Sequence, residues 1–439
     1  MNRVLLLLLS AVVAINCDRI LVLGETQKIE ETHSIWLGSL KDRNHVLTVK
    51  TADDASLNLF SHGELLFEHL LILAPGVNVF GGSLSTAEIG AFVDAGGNVL
   101  VAAGSNIGDA IRELAQDNGF EFAEAGSAVI DHHNYDTQRD SGDHTTIVIG
   151  KNQLIGSELI TGPLASQRPA LFKGVALLAG KNNHLALEIV KASSTAYSGK
   201  PGQKATNTKA TGSNILLVGG LQARNNARIV FTGSVDIFSD SFLNAFVTSA
   251  NPANEQKGSA SGNGLLVGSI TQWLLKESGV LRVTNVSHNL KGLTTTPPEE
   301  YTIFEEVEYK INIEELKKGK WVPFQGEDVQ LEFVRIDPFV RTTLKNNKKG
   351  TLSTVFKLPD VYGVYKFLVD YRRVGYTHLY DVQQVSVRPL WHTQYERFIR
   401  SAFPYYVSSF SMMIGLVLFS VVFLYHRDPK KTDEGKKKN

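Results

Sequence analysis

Cysteine is almost missing: Cys17 is the one thiol in 439 residues. A single thiol closes no intrachain disulfide. It also precedes the first predicted strand, so it cannot sit on the strained strand–helix elbow that a cysteine nucleophile needs. No Gly-x-Ser-x-Gly elbow replaces it. Gly81-Gly82 and Gly96-Gly97 lack the spacing of a nucleotide-binding loop and read as turns. Charge of one sign is missing too. The 44 Lys and Arg balance 44 Asp and Glu, which leaves no global field for nucleic acid. With no disulfides expected, the body must be stable by core burial, which a chain of this length can achieve in two or three domains.

Long apolar runs occur only at the two ends. Val4–Ala14 follows Arg3 and is too short to span a bilayer, so residues 1–17 read as a signal peptide. Val12 and Ala14 suit one cleavage site, and a cut near Cys17 is another. Residues 405–425 carry no charge and are long enough for a transmembrane helix. Arg427, Lys430, Lys431 and Lys436 to Lys438 follow it, which puts the 426–439 tail in the cytosol and the body across the membrane, a type I topology. Lys436 and Lys437 stand fourth and third from the end, the spacing of a dilysine retrieval signal of the endoplasmic reticulum. Within the span Ser408, Ser411 and Gly415 share one helix face, where small residues let a partner helix approach.

Between the ends the pattern changes once. Apolar runs at 19–24, 47–49, 70–75 and 98–102 alternate with helical spacing at 86–94 and 107–118. That alternation predicts an α/β domain over 18–279, a parallel sheet with helices on both faces. Further strands are expected at 145–149, 175–179, 215–219 and 228–232, with helices at 239–246 and 265–277. Residues 200–213 and 251–263 read as exposed polar loops. From Val280 the period becomes two, at 302–311, 330–336, 351–356, 364–369 and 383–387, which predicts an antiparallel β-sandwich over 280–390. A juxtamembrane segment, 391–404, carries Trp391 and Tyr395. Asn285-Val286-Ser287 is the single glycosylation sequon, expected in the connection between the domains.

Two polar clusters invite chemistry. Asp131, His132, His133, Asp136, Asp143 and His144 are dense in metal-ligand types, but their spacing fits no ordinary metal motif. They are read as a polar contact loop at the carboxyl end of the sheet, where α/β folds place ligands. Arg224, Asn225, Asn226 and Arg228 can grip phosphate or sugar hydroxyls. The structural alternative pairs them with Asp236 and Asp240 and caps the following helix.

Several strings then become recognisable together: Asp131–Asp136, Gln222–Arg228, Phe333–Arg341, Leu358–Gly363, Tyr376–Tyr380 and His392–Ile399. Over nearly the whole mature chain the sequence resembles the Wbp-type family, the non-catalytic 48 kDa subunits of oligosaccharyltransferase. The resemblance implies an N-terminal domain like the class I glutamine amidotransferases, without their activity. It implies no catalytic residues, no metal and no cofactor on this chain, because the family's catalytic centre lies on a separate multi-spanning subunit. Implied partners are that subunit, ribophorin I- and II-type subunits, a small Dad-type membrane subunit and the dolichol-linked oligosaccharide. Two other classes remain to be tested: a stand-alone lumenal glycan-processing hydrolase using the 131–144 cluster, and a lectin-like cargo receptor.

Overall fold

The computed structural model describes residues 18–162, 168–180, 183–203, 210–251, 259–293, 297–317 and 319–427. The signal peptide, the centres of both polar loops and Lys436 and Lys437 lie outside the described residues. The first sheet is nucleated by short apolar runs. Arg19–Gly24 (β1) buries Ile20 and Val22 in one core cluster and Leu21 and Leu23 in another. Alternate side chains therefore face opposite layers, and a strand apolar throughout must be covered on both sides. His69–Leu73 (β3) does the same with Leu71 and Leu73 against Leu70 and Ile72. Each such side chain contributes about 1.5–3 kcal/mol on burial.

Helices supply the covering layers. Ser34–Asp42 (α1) buries Trp36, Leu37 and Leu40. Val46–Thr51 (β2) follows it. Thr86–Asp94 (α2) starts at Ser85, whose hydroxyl accepts the Glu88 N–H at 3.1 Å, and buries Ile89, Phe92 and Val93. Asn98–Ala102 (β4) and Asp109–Asp117 (α3) complete the regular part.

The sheet is mixed, which differs from the parallel sheet expected. Later strands are Phe120–Phe122 (β5), Leu177–Ala179 (β6), Ala186–Lys191 (β7), Leu216–Gln222 (β8) and Arg228–Thr232 (β9). The order is β2-β1-β3-β4-β9-β8-β6-β5, with β7 also on β8. The first five are parallel; β8, β6 and β5 are joined by antiparallel pairings. The reason is loop length. Only residues 223–227 join β8 to β9, closed by Ala223 N–H to Ala227 O at 2.8 Å. A parallel crossover needs a dozen or more residues, so so short a link makes a hairpin. The parallel strands change direction of progress between β1 and β3, the usual crevice position in such sheets.

Asn263–Leu274 (α4) closes one face and leads into the second body. Ser278–Leu290 (β10) already belongs there, so the sequon is in a strand and not in a connection. The expected 302–311 strand is broken in two, Glu300–Thr302 (β11) and Glu306–Lys317 (β12), because Phe304 takes φ 68°. Lys320–Pro323 (β13), Gln330–Val334 (β14), Pro338–Thr343 (β15), Lys345–Asn346 (β16), Thr351–Lys357 (β17), Gly363–Tyr371 (β18) and Leu379–Arg388 (β19) follow. One sheet runs β10-β12-β17-β16 with β13 on β12; the other runs β11-β19-β18-β14-β15. Tyr309, Phe333, Tyr365 and Phe367 fill the core between them. All pairings are antiparallel except β11 with β19.

Phe403–Tyr425 (α5) is the last helix, starting two residues before the expected span. Pro404 does not prevent this, since the first turn needs no proline N–H. Its 23 residues rise about 35 Å, enough to cross the ~30 Å hydrocarbon layer. It is the one helix among the described residues that is long and apolar enough to cross a membrane.

Candidate functional site

The 131–144 loop is held at the carboxyl end of the sheet. Gly126 N–H donates to Ser105 O at 2.8 Å, tying it to the chain leaving β4. Asp131 is 1% exposed, so the carboxylate faces inward. It accepts from His133 N–H at 2.9 Å, Asn134 N–H at 3.1 Å, Asn134 Nδ2 at 3.0 Å, Thr195 Oγ1 at 2.8 Å and the Ser193 hydroxyl. Burial pushes this carboxyl up, but the hydrogen bonds led by Ser193 outweigh it and hold it below the ordinary carboxylate range. A carboxylate with its lone pairs so engaged organises a loop; it is poorly placed to take a proton from a substrate. Asp140 behaves alike. It accepts the N–H groups of Gly142, His144, Thr145 and Thr146, which outweigh its desolvation and depress it.

The outer part of the loop carries His132 and His133, exposed, with half-buried Tyr135, His144 and Tyr197 behind them. His132 Nδ1 lies 2.6 Å from His144 Nδ1, and His132 Nε2 lies 3.0 Å from Tyr197 Oη. Tyr135 stacks on His144 with centroids 4.1 Å apart. His133 is exposed. Among the described residues no three of His, Cys, Asp or Glu converge as metal ligands would. The surface offers ring faces, hydroxyls and ring nitrogens, with Arg139 and Asp143 exposed beside them.

The 224–228 cluster has a role that neither reading of its sequence anticipated. Arg228 is fully buried. Its guanidinium donates to the carbonyls of Trp273, Ser278 (2.9 Å), Gly279 (3.1 Å) and Gly375 (3.3 Å). It also stands 4.8 Å over the Trp273 ring. The Trp273 carbonyl belongs to α4, those of Ser278 and Gly279 to the start of β10, and Gly375 lies in the β18–β19 turn, so one side chain bolts the two bodies together. Burial without a carboxylate lowers this group to about 9. Arg228 does not pair with Asp236 or Asp240. Asp240 instead accepts the N–H groups of Ser34 and Ile35 at 3.0 and 2.9 Å, capping α1. Asn226 Oδ1 accepts His378 N–H at 2.8 Å, and Asn225 Nδ2 donates to Val93 O at 2.7 Å. Arg224 is exposed and lines a groove of about 690 Å³ between the bodies, with Leu185, Arg372, Arg373 and Tyr376.

A third network escaped the sequence reading. Glu277, beside the bolt, accepts from Arg43 Nη1 at 2.8 Å and meets His45 Nε2 at 2.7 Å. Asp18 lies 3.5 Å from His69 Nε2 and 3.8 Å from His45 Nδ1. The nearby His69 ring depresses Asp18 against the opposing effect of burial. Asp18 thus stands within ion-pair range of both histidines, and His45 in turn meets Glu277. Isolated histidines at 45 and 69, each next to a predicted strand start, were the only available signal.

The span presents its small residues as expected by position: Ser408, Ser411 and Gly415 lie within α5. Ser411 Oγ donates to Ser408 O at 2.8 Å, so this hydroxyl is satisfied within the helix. Asn285 is exposed on β10.

Comparison with known proteins fits this architecture. The family described as OST48, N-terminal domain, matches residues 11–277, and the OST48 middle domain matches residues 288–427. The dolichyl-diphosphooligosaccharide--protein glycosyltransferase 48 kDa subunit of Caenorhabditis elegans is 67% identical over 428 residues, 96% of each chain. The Danio rerio subunit of that name is 54% identical over 414 residues, covering 94% of this chain and 93% of its own. The Drosophila melanogaster one is 50% identical over 433 residues, 96% of each. Among solved structures, a ThuA-like protein from Parabacteroides merdae covers 58% of this chain and 89% of its own at 11% identity, with a TM-score of 0.29. A likeness that loose assigns no fold, and the amidotransferase-like expectation gains nothing from it.

Proposed function

The chain belongs to the OST48 family, and from that premise we propose that it acts as a non-catalytic, membrane-anchored positioning subunit. It is a subunit of oligosaccharyltransferase and serves N-linked glycosylation. The stand-alone hydrolase reading gains no support from these relatives. A membrane protein of the endoplasmic reticulum with one C-terminal span fits both the complex and α5. The finer assignments are ours. The body, domains 18–279 and 280–390, is lumenal, and the dilysine pair Lys436 and Lys437 retains the chain. The Ser408–Ser411–Gly415 face packs against a helix of the catalytic, ribophorin-type or Dad-type subunits.

The observation that carries the positioning role is the state of Asp131. The buried carboxylate at the head of the best candidate loop is consumed by five hydrogen bonds from its own surroundings. Exposed His132 and His133 and half-buried Tyr197 offer contact to sugar hydroxyls. Holding a donor in place lowers a barrier without donating a reactive group. The amidotransferase-like fold would add a scaffold for that contact and no chemistry of its own.

The test uses the intact complex carrying His132→Ala, His133→Ala and Tyr197→Phe together. Transfer of the dolichol-linked oligosaccharide to an Asn-x-Thr peptide should show a raised KM for the donor and an unchanged kcat. A fall in kcat at saturating donor would make the loop catalytic. No change in either would remove the donor from this surface.

A further inference from the structure

Asn285 owes its outward position to a bulge. Leu281 is buried in the sandwich core and Val283 packs against it. Strict alternation would carry Asn285 inward as well. The β10–β12 register shifts between Val283 and Asn285, and beyond it the even positions Val286 and Leu290 pack the core. His288 confirms the new parity by stacking on core Phe367 at 5.0 Å. One extra residue therefore leaves Thr284 and Asn285 exposed. Independently, β10 ends its sheet: β12 is its one strand partner, and at its start Thr377 of the β18–β19 turn meets the outer edge through Gly279 O and the Leu281 N–H. A long open edge is a template for a foreign strand unless something covers it.

We propose that Asn285 carries an N-linked oligosaccharide and that this glycan keeps the outer face and free edge of the β10 sheet as open lumenal surface in the assembled complex. The modification precedes folding. The Asn285 amide nitrogen bonds to C1 of the reducing sugar of a lipid diphosphate donor. The C1–O bond to the diphosphate breaks, and the amide loses one proton. The Ser287 hydroxyl completes the acceptor sequence, and the bulge then turns the bulky product away from the core. Partner subunits would dock elsewhere on the sandwich, where Val364 and Tyr380 are exposed on the opposite sheet.

The inference rests on the lumenal reading, and the experiment separates the two. The full-length chain is expressed in cells, the intact complex is isolated, and peptide N-glycosidase is applied before and after denaturation. Native treatment should shift the mobility of the chain and convert Asn285 to aspartate. Asn285→Gln and Ser287→Ala should remove the shift, and Ser287→Thr should keep it. Release only after denaturation would show the face to be covered and overturn the open-surface half. A second variant, Lys349→Thr, places a sequon at exposed Asn347 in the β16–β17 turn. Modification of Asn347 with Asn285 bare would overturn the proposal and leave the lumenal reading standing. Modification of neither would overturn the lumenal reading itself.

Discussion

Arg228→Met should loosen the two bodies from each other. The native guanidinium is buried and serves four carbonyls, one in α4, two at the start of β10 and one in the β18–β19 turn. Hydrogen bonds from a charged donor are each worth about 1.5–3 kcal/mol. The net value is much smaller than their sum, because burial of the charge costs several kcal/mol. That cost is visible in the lowering of the group to about 9. Methionine recovers the desolvation cost and keeps contact with Trp273, but each carbonyl loses one donor, although Lys276 N–H, Thr377 N–H and Trp273 Nε1 still reach those of Trp273, Gly279 and Gly375. Leaving buried polar groups short of a partner costs about 1–3 kcal/mol. The assay is pulse proteolysis of the full-length chain in detergent across a urea series. The variant should lose about 1–3 kcal/mol and show new tryptic cleavage after Lys276. Arg224→Met is the control, since Arg224 is exposed and has no hydrogen bond among the described residues; it should stay within about 0.5 kcal/mol of the parent. A loss below about 1 kcal/mol for Arg228→Met, or no cleavage at Lys276, would refute the bolt.

Three further outcomes follow from the same geometry. Gly279→Ala should destabilise by about 1–3 kcal/mol or more, read by the same proteolysis, because Gly279 has φ 67° and an added Cβ would stand 2.2 Å from Gly375 O. Asp131→Asn should cost about 2–4 kcal/mol and flatten the acid limb of stability. Asp131 is depressed in the folded chain, so its contribution is fully present above the ordinary unfolded value near ~3.9 and is lost as pH falls through the folded value. An unchanged acid limb in Asp131→Asn would count against its hydrogen-bonded role. Ser411→Leu with Gly415→Leu should cut co-purification of partner subunits several-fold while leaving the chain inserted; undiminished recovery would free that face of any partner.

Much of the first sheet is legible because its strands are apolar on both faces and bounded by Gly or Pro, as in β1 and β4. The antiparallel strands are less so. The β8–β9 hairpin reads as two strands in sequence, but its short five-residue link, not composition, decides direction. Phe304 breaks a clean period-two run through a backbone angle that alternation does not encode. The β10 bulge likewise moves Asn285 to the surface by one residue of register. At the candidate sites, residue types were visible and their partners were not. Asp131 and Arg228 stand out as polar residues in polar strings, yet their ligands come from positions tens of residues away, at Ser193, Thr195, Ser278 and Gly375. Buried networks of that range leave no local periodicity to read.

The central claim is that this chain works inside oligosaccharyltransferase and holds no catalytic centre. The most direct measurement is affinity isolation of the tagged full-length chain in mild detergent, with its partners identified and oligosaccharide transfer to an Asn-x-Thr peptide assayed on the complex and on the separated chain. The account predicts co-isolation of the catalytic multi-spanning subunit, transfer by the complex, and none by the chain alone. A chain isolated without partners that transfers or trims glycan by itself would contradict it.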